Sequence, residues 1–409
     1  MQKNILKFYW YRLTKFGLFH IAVMVLFYQQ RGLSFSQIMI LQSIYYFAKV
    51  FSEIPTGVVA DRFGRKKSLV IGSFCHSSAY LLIFLSHSFI LFNLGEIIAG
   101  ISMSFAYGTD SALAYDTLKS LGREKEYQKI EGNAHSMRLL SFAIFAPIGG
   151  LLATVNLALP YLASSIVIFF SGLLALTFIE PEKDGSKVQK FKGSKFEVRK
   201  KYYHEIGKSL NLMLAEKRIL WLVLFFSLVF LATRLGFWTY QPYMKKVEVP
   251  LSLFGVVFAC FHLFAALFSK YADKIEKILK EDLTLLIMPA LVIVSFVLMS
   301  RFLYLWSIGF ILLQQVSMAT HEPILKNYLN RHTPSDIRAT MFSIQNMAGN
   351  LVFAVTAPFL GSFVDKSGLE NALLIFALVI IIFSIFLWRY RKKWFKQEQT
   401  IQKPIKEIR

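Results

Sequence analysis

Seven ionisable residues, His20, Glu96, Asp110, Arg138, Arg234, His321 and Glu322, stand in or at the edge of long apolar runs, and Lys49 and Glu53 join them. An ionisable group near a bilayer centre costs on the order of 3 kcal/mol on insertion scales, so each one needs a counter-charge, a water-filled cavity or a function. A carboxylate such as Asp110 suits the uptake of a proton in one conformation and its release in another. Its alternative role is packing, bonded to nearby backbone or to Ser111. His321 and Glu322 offer the same proton chemistry, or a solvated pair at the membrane boundary. Arg138 and Arg234 are fixed cations without a sequence-local partner. They point to an anionic group, either a carboxylate on another helix or the carboxylate or phosphate of a solute. Glu96 is one mate for Arg234, and that pairing, an outer gate, competes with substrate binding at the arginine. His20 is either a hydrogen-bonded packing residue or a ligand contact. Lys49 and Glu53 are spaced i, i+4 and neutralise one another along one helix face.

Other chemistries lack their residues. No HExxH, GxSxG or Walker loop occurs, and the only two cysteines, Cys75 and Cys260, both lie inside apolar runs, which excludes a disulfide framework or a CxxC metal site. The chain reads as no enzyme, with no metal site and no cofactor.

The elements that must position these charges follow from composition. Of 409 residues 55% are hydrophobic and 17% charged, with a mean hydropathy of +0.48. A membrane helix needs roughly 20 apolar residues, and apolar windows fall near 8–30, 35–60, 68–87, 90–118, 128–153 and 157–179. A polar stretch follows, and then windows near 219–243, 251–270, 283–300, 302–326, 337–361 and 369–390. The pattern predicts an all-α membrane protein with twelve transmembrane helices. Residues 1–179 form a first six-helix bundle, 180–218 a cytoplasmic linker with eleven Lys/Arg, 219–390 a second bundle, and 391–409 a basic cytoplasmic tail.

The formal net charge of +21 would suit nucleic acid only if the basic residues shared a soluble surface, and here they sit between apolar runs. With the N-terminus inside, 38 of the 46 Lys/Arg fall on the cytoplasmic side, five outside and three within spans. That asymmetry predicts both termini cytoplasmic.

An internal repeat supports the two bundles. A shift of about 211 residues lays Ala146-Pro147-Ile148-Gly149-Gly150 over Ala357-Pro358-Phe359-Leu360-Gly361. It also brings Gly57 to Arg65 close to Ser269 to Lys277, so the halves read as pseudo-symmetric parallel copies.

Between the second and third windows stands Gly57-Val58-Val59-Ala60-Asp61-Arg62-Phe63-Gly64-Arg65-Lys66. Gly57 allows two helices to approach closely, Gly64 permits a tight turn, and Asp61, Arg62, Arg65 and Lys66 supply a charge cluster able to latch one conformation. This segment resembles the loop signature of the major facilitator superfamily, G-x-x-x-D-R-x-G-R-[KR], with every fixed position filled. The resemblance implies two six-helix bundles around a central cavity, alternating access, and solute movement driven by its own gradient or a coupled ion, usually in a monomer.

The family lines its cavity with helices 1, 4, 7 and 10, which here carry His20, Glu96, Asp110, Arg234, His321 and Glu322. Asp110 and His321 correspond under the repeat. Tyr107, Trp238 and Tyr240 are aromatic candidates for the same lining. Family antiporters carry G-P-x-x-G-G in the fifth helix, whereas Ala146-Pro147-Ile148-Gly149-Gly150 lacks the first glycine and is one residue short. Pro147, Gly149 and Gly150 are then a helix-packing motif with a hint of export. Many proton-coupled exporters place an arginine in helix 4, and this chain offers Glu96.

The expected function is secondary active transport in a bacterial inner membrane, proton-coupled efflux of a small organic or amphipathic solute. The alternative is an uptake symporter for an organic anion, resting on Arg138 and Arg234. A non-transporting scaffold or receptor ranks third, because it has no need of buried charges. Solute, protons and the lipid bilayer are the expected partners, and nucleic acid is not.

Overall fold

The computed structural model describes residues 1–106, 108–181, 207–334 and 337–401. Most of the expected linker, residues 182–206, lies outside the described residues, as do Tyr107 and the end of the tail, 402–409. Among the described residues the chain is helical, without a strand, and eight helical stretches are long and apolar enough to cross a membrane.

The first apolar window is not one helix. It gives α1 (Lys3–Lys15), a 3-10 turn over Phe19–Ala22, and α2 (Met24–Gln30). Next come α3 (Phe35–Phe63), α4 (Arg65–Leu85), α5 (Phe89–Ala106), α6 (Thr109–Ser120), α7 (Tyr127–Val155) and α8 (Leu159–Leu176). The fourth window is divided between α5 and α6, with Gly108 at φ +74° ahead of α6. The second half contributes α9 (Lys217–Lys246), α10 (Phe254–Lys270), α11 (Ala272–Arg301), α12 (Ile311–His332) and α13 (Arg338–Ile401). Backbone breaks at Lys280 in α11 and Gly368 in α13 divide those two long elements.

Local sequence accounts for the boundaries. Ser34 starts α3 with a capping box: its hydroxyl accepts from Gln37 N at 3.2 Å, and the Gln37 side chain accepts from Ser34 N at 2.9 Å. At 29 residues α3 is about 44 Å long, more than a hydrocarbon core requires. Gly64 ends it at φ +100°, a conformation open to glycine, and α4 begins at the next residue.

The chain divides into two compact units. One gathers Met1–Lys183 with Trp238–Phe264 and Ala354–Leu369; the other gathers Asp184–Phe237, Ala265–Phe353 and Glu370–Arg409. In lipid, apolar burial does little to drive helices together, so close packing and polar contacts must. In the first unit a Cβ on Gly100 of α5 would stand 2.5 Å from the Tyr45 carbonyl of α3, so glycine there sets how near the two helices lie. Ser77 of α4 and Ser165 of α8 each donate to the other's carbonyl at 2.8 Å. The second unit packs Trp221, Phe225, Leu285, Met288 and Leu325 in one core, and Trp221 Nε1 donates to Leu387 O at 2.7 Å.

Candidate functional site

Asp110 sits at the first turn of α6, buried, and its partner is a residue of α1. Arg12 Nε lies 2.6 Å from Asp110 Oδ2, and Arg12 Nη2 lies 3.0 Å from Glu131 Oε1 of α7 and donates to Ser111 Oγ at 2.8 Å. Ser111 Oγ donates in turn to Glu131 Oε1 at 3.0 Å, and Ser111 N donates to Asp110 Oδ1 at 2.8 Å. Three helices therefore meet on one guanidinium between two carboxylates. One turn along α1, Lys15 is only 1% exposed, and its ammonium donates to Gly72 O of α4 at 3.0 Å. Arg12 and Lys15 count toward the cytoplasmic charge bias on sequence alone. Helical spacing turns them inward, a direction that charge counting does not carry.

His20 lies in the 3-10 turn, buried. Its Nδ1 is 2.9 Å from Ser164 Oγ, and its ring stacks on Tyr161 at 4.4 Å and meets Tyr80 edge-on at the same distance. Tyr80 also contacts His76, 4.5 Å between centroids. Glu96 of α5 is buried, accepting from Tyr28 Oη at 2.7 Å and Gln42 Nε2 at 3.2 Å. Tyr28, Gln42, Tyr80 and Tyr161 carry no charge at neutral pH, which is why a search for intramembrane charges passes over them. Arg138 of α7 is half-buried, its guanidinium 5.5 Å from the Phe16 ring centroid.

Arg234, His321 and Glu322 belong to the second unit. Arg234 of α9 is half-buried with its guanidinium 5.1 Å from the Phe230 ring, and no carboxylate lies within ion-pair distance of it among the described residues. His321 of α12 is buried, its Nδ1 2.9 Å from Met318 O, with the Phe226 ring 5.5 Å away. Glu322 is exposed and pairs with Lys326 at 2.6 Å, one turn on. Asp110 and His321, matched by the repeat, thus fall in different units.

At the signature loop the structure adds a residue from far along the chain. Glu180 accepts from Arg65 N at 2.7 Å and from Lys66 N at 2.8 Å, occupying the start of α4, where free N–H groups favour an anion. The carboxyl carbon lies 3.1 Å from where a Gly64 Cβ would be, so a side chain there would crowd it. Arg65 also pairs with Asp116 of α6 at 3.0 Å, and Arg62 lies over the Phe63 ring at 5.2 Å. A Cβ on Gly57 would meet nothing within 4 Å, so close helix approach is not its role in this conformation.

The Pro147-Ile148-Gly149-Gly150 segment of α7 does lie at close backbone contacts. A Cβ on Gly149 would overlap the Phe19 carbonyl of the broken first helix. One on Gly150 would stand 2.9 Å from Gly255 N, and one on Gly255 would overlap the Ala146 carbonyl. Two helix contacts are therefore packed backbone to backbone at this motif.

The Major Facilitator Superfamily model matches residues 13–356. The chain belongs to that superfamily. Among curated proteins it is similar to the uncharacterized MFS-type transporter YxaM of Bacillus subtilis (strain 168), 22% identical over 377 residues, or 88% of each chain. Among solved structures it shares its fold with the nucleoside transporter NupG at a TM-score of 0.77, with 12% identity over 94% of this chain and 98% of that one. A D-xylose-proton symporter follows at 0.71, with 14% identity over 95% and 97%. Membership makes this facilitator a multi-pass membrane transporter and not an enzyme. Among the described residues no group of three or more His, Cys, Asp or Glu is placed to hold a metal ion.

Proposed function

We propose that this facilitator is a proton-coupled secondary transporter of a bacterial inner membrane that exports a small organic or amphipathic solute by alternating access. The observation that carries the reading is the buried network in which Arg12 is shared between Asp110 and Glu131. A proton arriving on Asp110 removes one of the two negative charges that hold the guanidinium. That loosens the contact of α1 with α6 and gives proton binding a mechanical consequence. The same carboxylate without a proton restores the grip.

In this reading the twelve expected spans form two pseudo-symmetric bundles of a monomer with both termini cytoplasmic. The loop containing Gly57, Asp61, Arg62, Gly64, Arg65 and Lys66, held at α4 by Glu180, latches one state. Glu96, with Tyr28 and Gln42, and His20, with Ser164 and Tyr161, are polar groups on the solute path. His321 and Glu322 are the second half's contribution to proton handling. Export rests on the Pro147-Ile148-Gly149-Gly150 segment. The proton symporter among the fold neighbours supports coupling to protons in this architecture and leaves direction open.

A second reading is uptake of an organic anion with a proton. Arg234, which has no carboxylate partner among the described residues, favours it. The experiment that separates the two loads proteoliposomes with a pH dye, imposes a pH gradient, and adds cationic, neutral and anionic solutes one at a time. Proton movement opposite to solute flux supports export by exchange. Movement in the same direction supports symport, and solute flux without any proton movement overturns proton coupling.

A further inference from the structure

The break in the first helix is closed by a side chain from the second half of the chain. In a continuous helix Val25 N would donate to Ile21 O, four residues back. Here Gln241 of α9 stands in that bond: its Oε1 accepts from Val25 N at 2.7 Å and its Nε2 donates to Ile21 O at 3.0 Å. Gln241 and Val25 are both fully buried. A carboxamide, with one acceptor and one donor side by side, supplies both halves of the missing bond. In hydrocarbon no water takes its place, so the two main-chain groups must be satisfied by protein.

We infer that Gln241 is the outer latch of the transport cycle, a positioning residue that holds helix 1 unwound while the outer side is sealed. The inference rests on the alternating-access reading and adds to it a named two-state element. With Gln241 inserted, the Val25–Ile21 bond is open and the side chain ties α9 to helix 1. With Gln241 withdrawn, helix 1 rewinds by one bond and Val25 N returns to Ile21 O, so the main-chain groups are bonded in both states. The freed carboxamide then takes its hydrogen bonds from water as the outer side opens, and the loss of its two buried bonds is what favours the sealed state.

Neighbouring contacts at the same end belong to this seal. Asp365 of α13 accepts from Phe35 N at 2.9 Å and Ser36 N at 2.8 Å at the start of α3. Gly150 and Gly255 bring α7 against α10. A crevice of about 390 Å³, lined by Leu26, Gln29, Gln30, Lys245 and Phe254, reaches to the residue next to Val25. With this end taken as the outer one, the crevice stops one residue short of Val25.

The test needs no knowledge of the solute. Val25→Cys, in a full-length chain with Cys75→Ala and Cys260→Ala, is labelled from the outside of intact cells by a membrane-impermeant maleimide. The latch predicts slow labelling with Gln241 present and labelling at least about tenfold faster with Gln241→Ala, because two buried hydrogen bonds hold the sealed state. Gln241→Met keeps the volume and removes both bonds. Fast labelling in Gln241→Met supports the latch, and labelling as slow as with Gln241 shows that packing alone makes the seal and overturns it. Equal rates in all three chains overturn it as well. Faster labelling together with solute flux that moves no protons in vesicles of the unaltered chain leaves the latch standing and removes the proton-coupled reading.

Discussion

Arg12 Nε of α1 and Asp110 Oδ2 of α6 lie 2.6 Å apart, with both side chains less than a tenth exposed. The two residues are 98 positions apart, and neither is useful alone: a buried guanidinium without a carboxylate, or the reverse, leaves an uncompensated charge. Glu131 gives the pair a third member that is still partly exposed, at 31% of its side chain. The network therefore runs from a buried pair to the edge of accessible surface.

Breaking this pair from one side should be more damaging than removing it. Arg12→Met leaves a buried carboxylate and is expected to cost about 3–5 kcal/mol of stability, while Arg12→Met with Asp110→Leu should recover part of that loss. Thermal unfolding of the purified single and double variants in detergent checks the order. A double variant less stable than Arg12→Met would contradict the pairing.

Glu180→Gln keeps the shape of the cap on α4 and removes its charge. The interaction of an anion with a helix start is worth about 1 kcal/mol, so insertion and folding should persist while transport slows. Asp61→Asn, in the same loop, should show the same separation of flux from insertion. Unchanged flux in both variants would remove the latch role of the loop.

Arg234→Ala should weaken the binding of anionic solutes more than that of cationic ones, since its guanidinium lies over the Phe230 ring with no carboxylate within ion-pair distance among the described residues. Competition binding with a matched anion and cation measures the difference. Equal effects would make Arg234 a structural residue.

Gly149→Ala should be destabilising by about 1–3 kcal/mol, because its methyl group would overlap the Phe19 carbonyl of the broken helix. Gly57→Ala, where a Cβ meets nothing within 4 Å, should leave stability within about 0.5 kcal/mol. Melting temperatures of the two variants side by side give the comparison.

Much of the architecture was legible because membrane helices announce themselves by long apolar runs. The turn at Gly64 was equally visible, since a single residue between α3 and α4 at φ +100° calls for glycine. The break in helix 1 was not, because Gly17 to Val23 is as apolar as a continuous span and the break is held by Ser164 and Gln241, far away in sequence. The charged candidates were found by their type. Their partners were not, because Tyr28 and Gln42 at Glu96, and Arg12 at Asp110, are set by which helix faces which. Glu180 escaped for the same reason: it reads as the first residue of a polar linker and acts at the loop 115 positions earlier.

If Asp110 carries the coupled proton, Asp110→Asn separates proton from solute. Proteoliposomes bearing the unaltered chain or this variant are compared for uphill solute movement driven by a pH gradient and for solute exchange at equal pH. The variant should lose gradient-driven movement and keep exchange, because the solute path remains while the proton site is gone. Gradient-driven movement that survives in Asp110→Asn would contradict it.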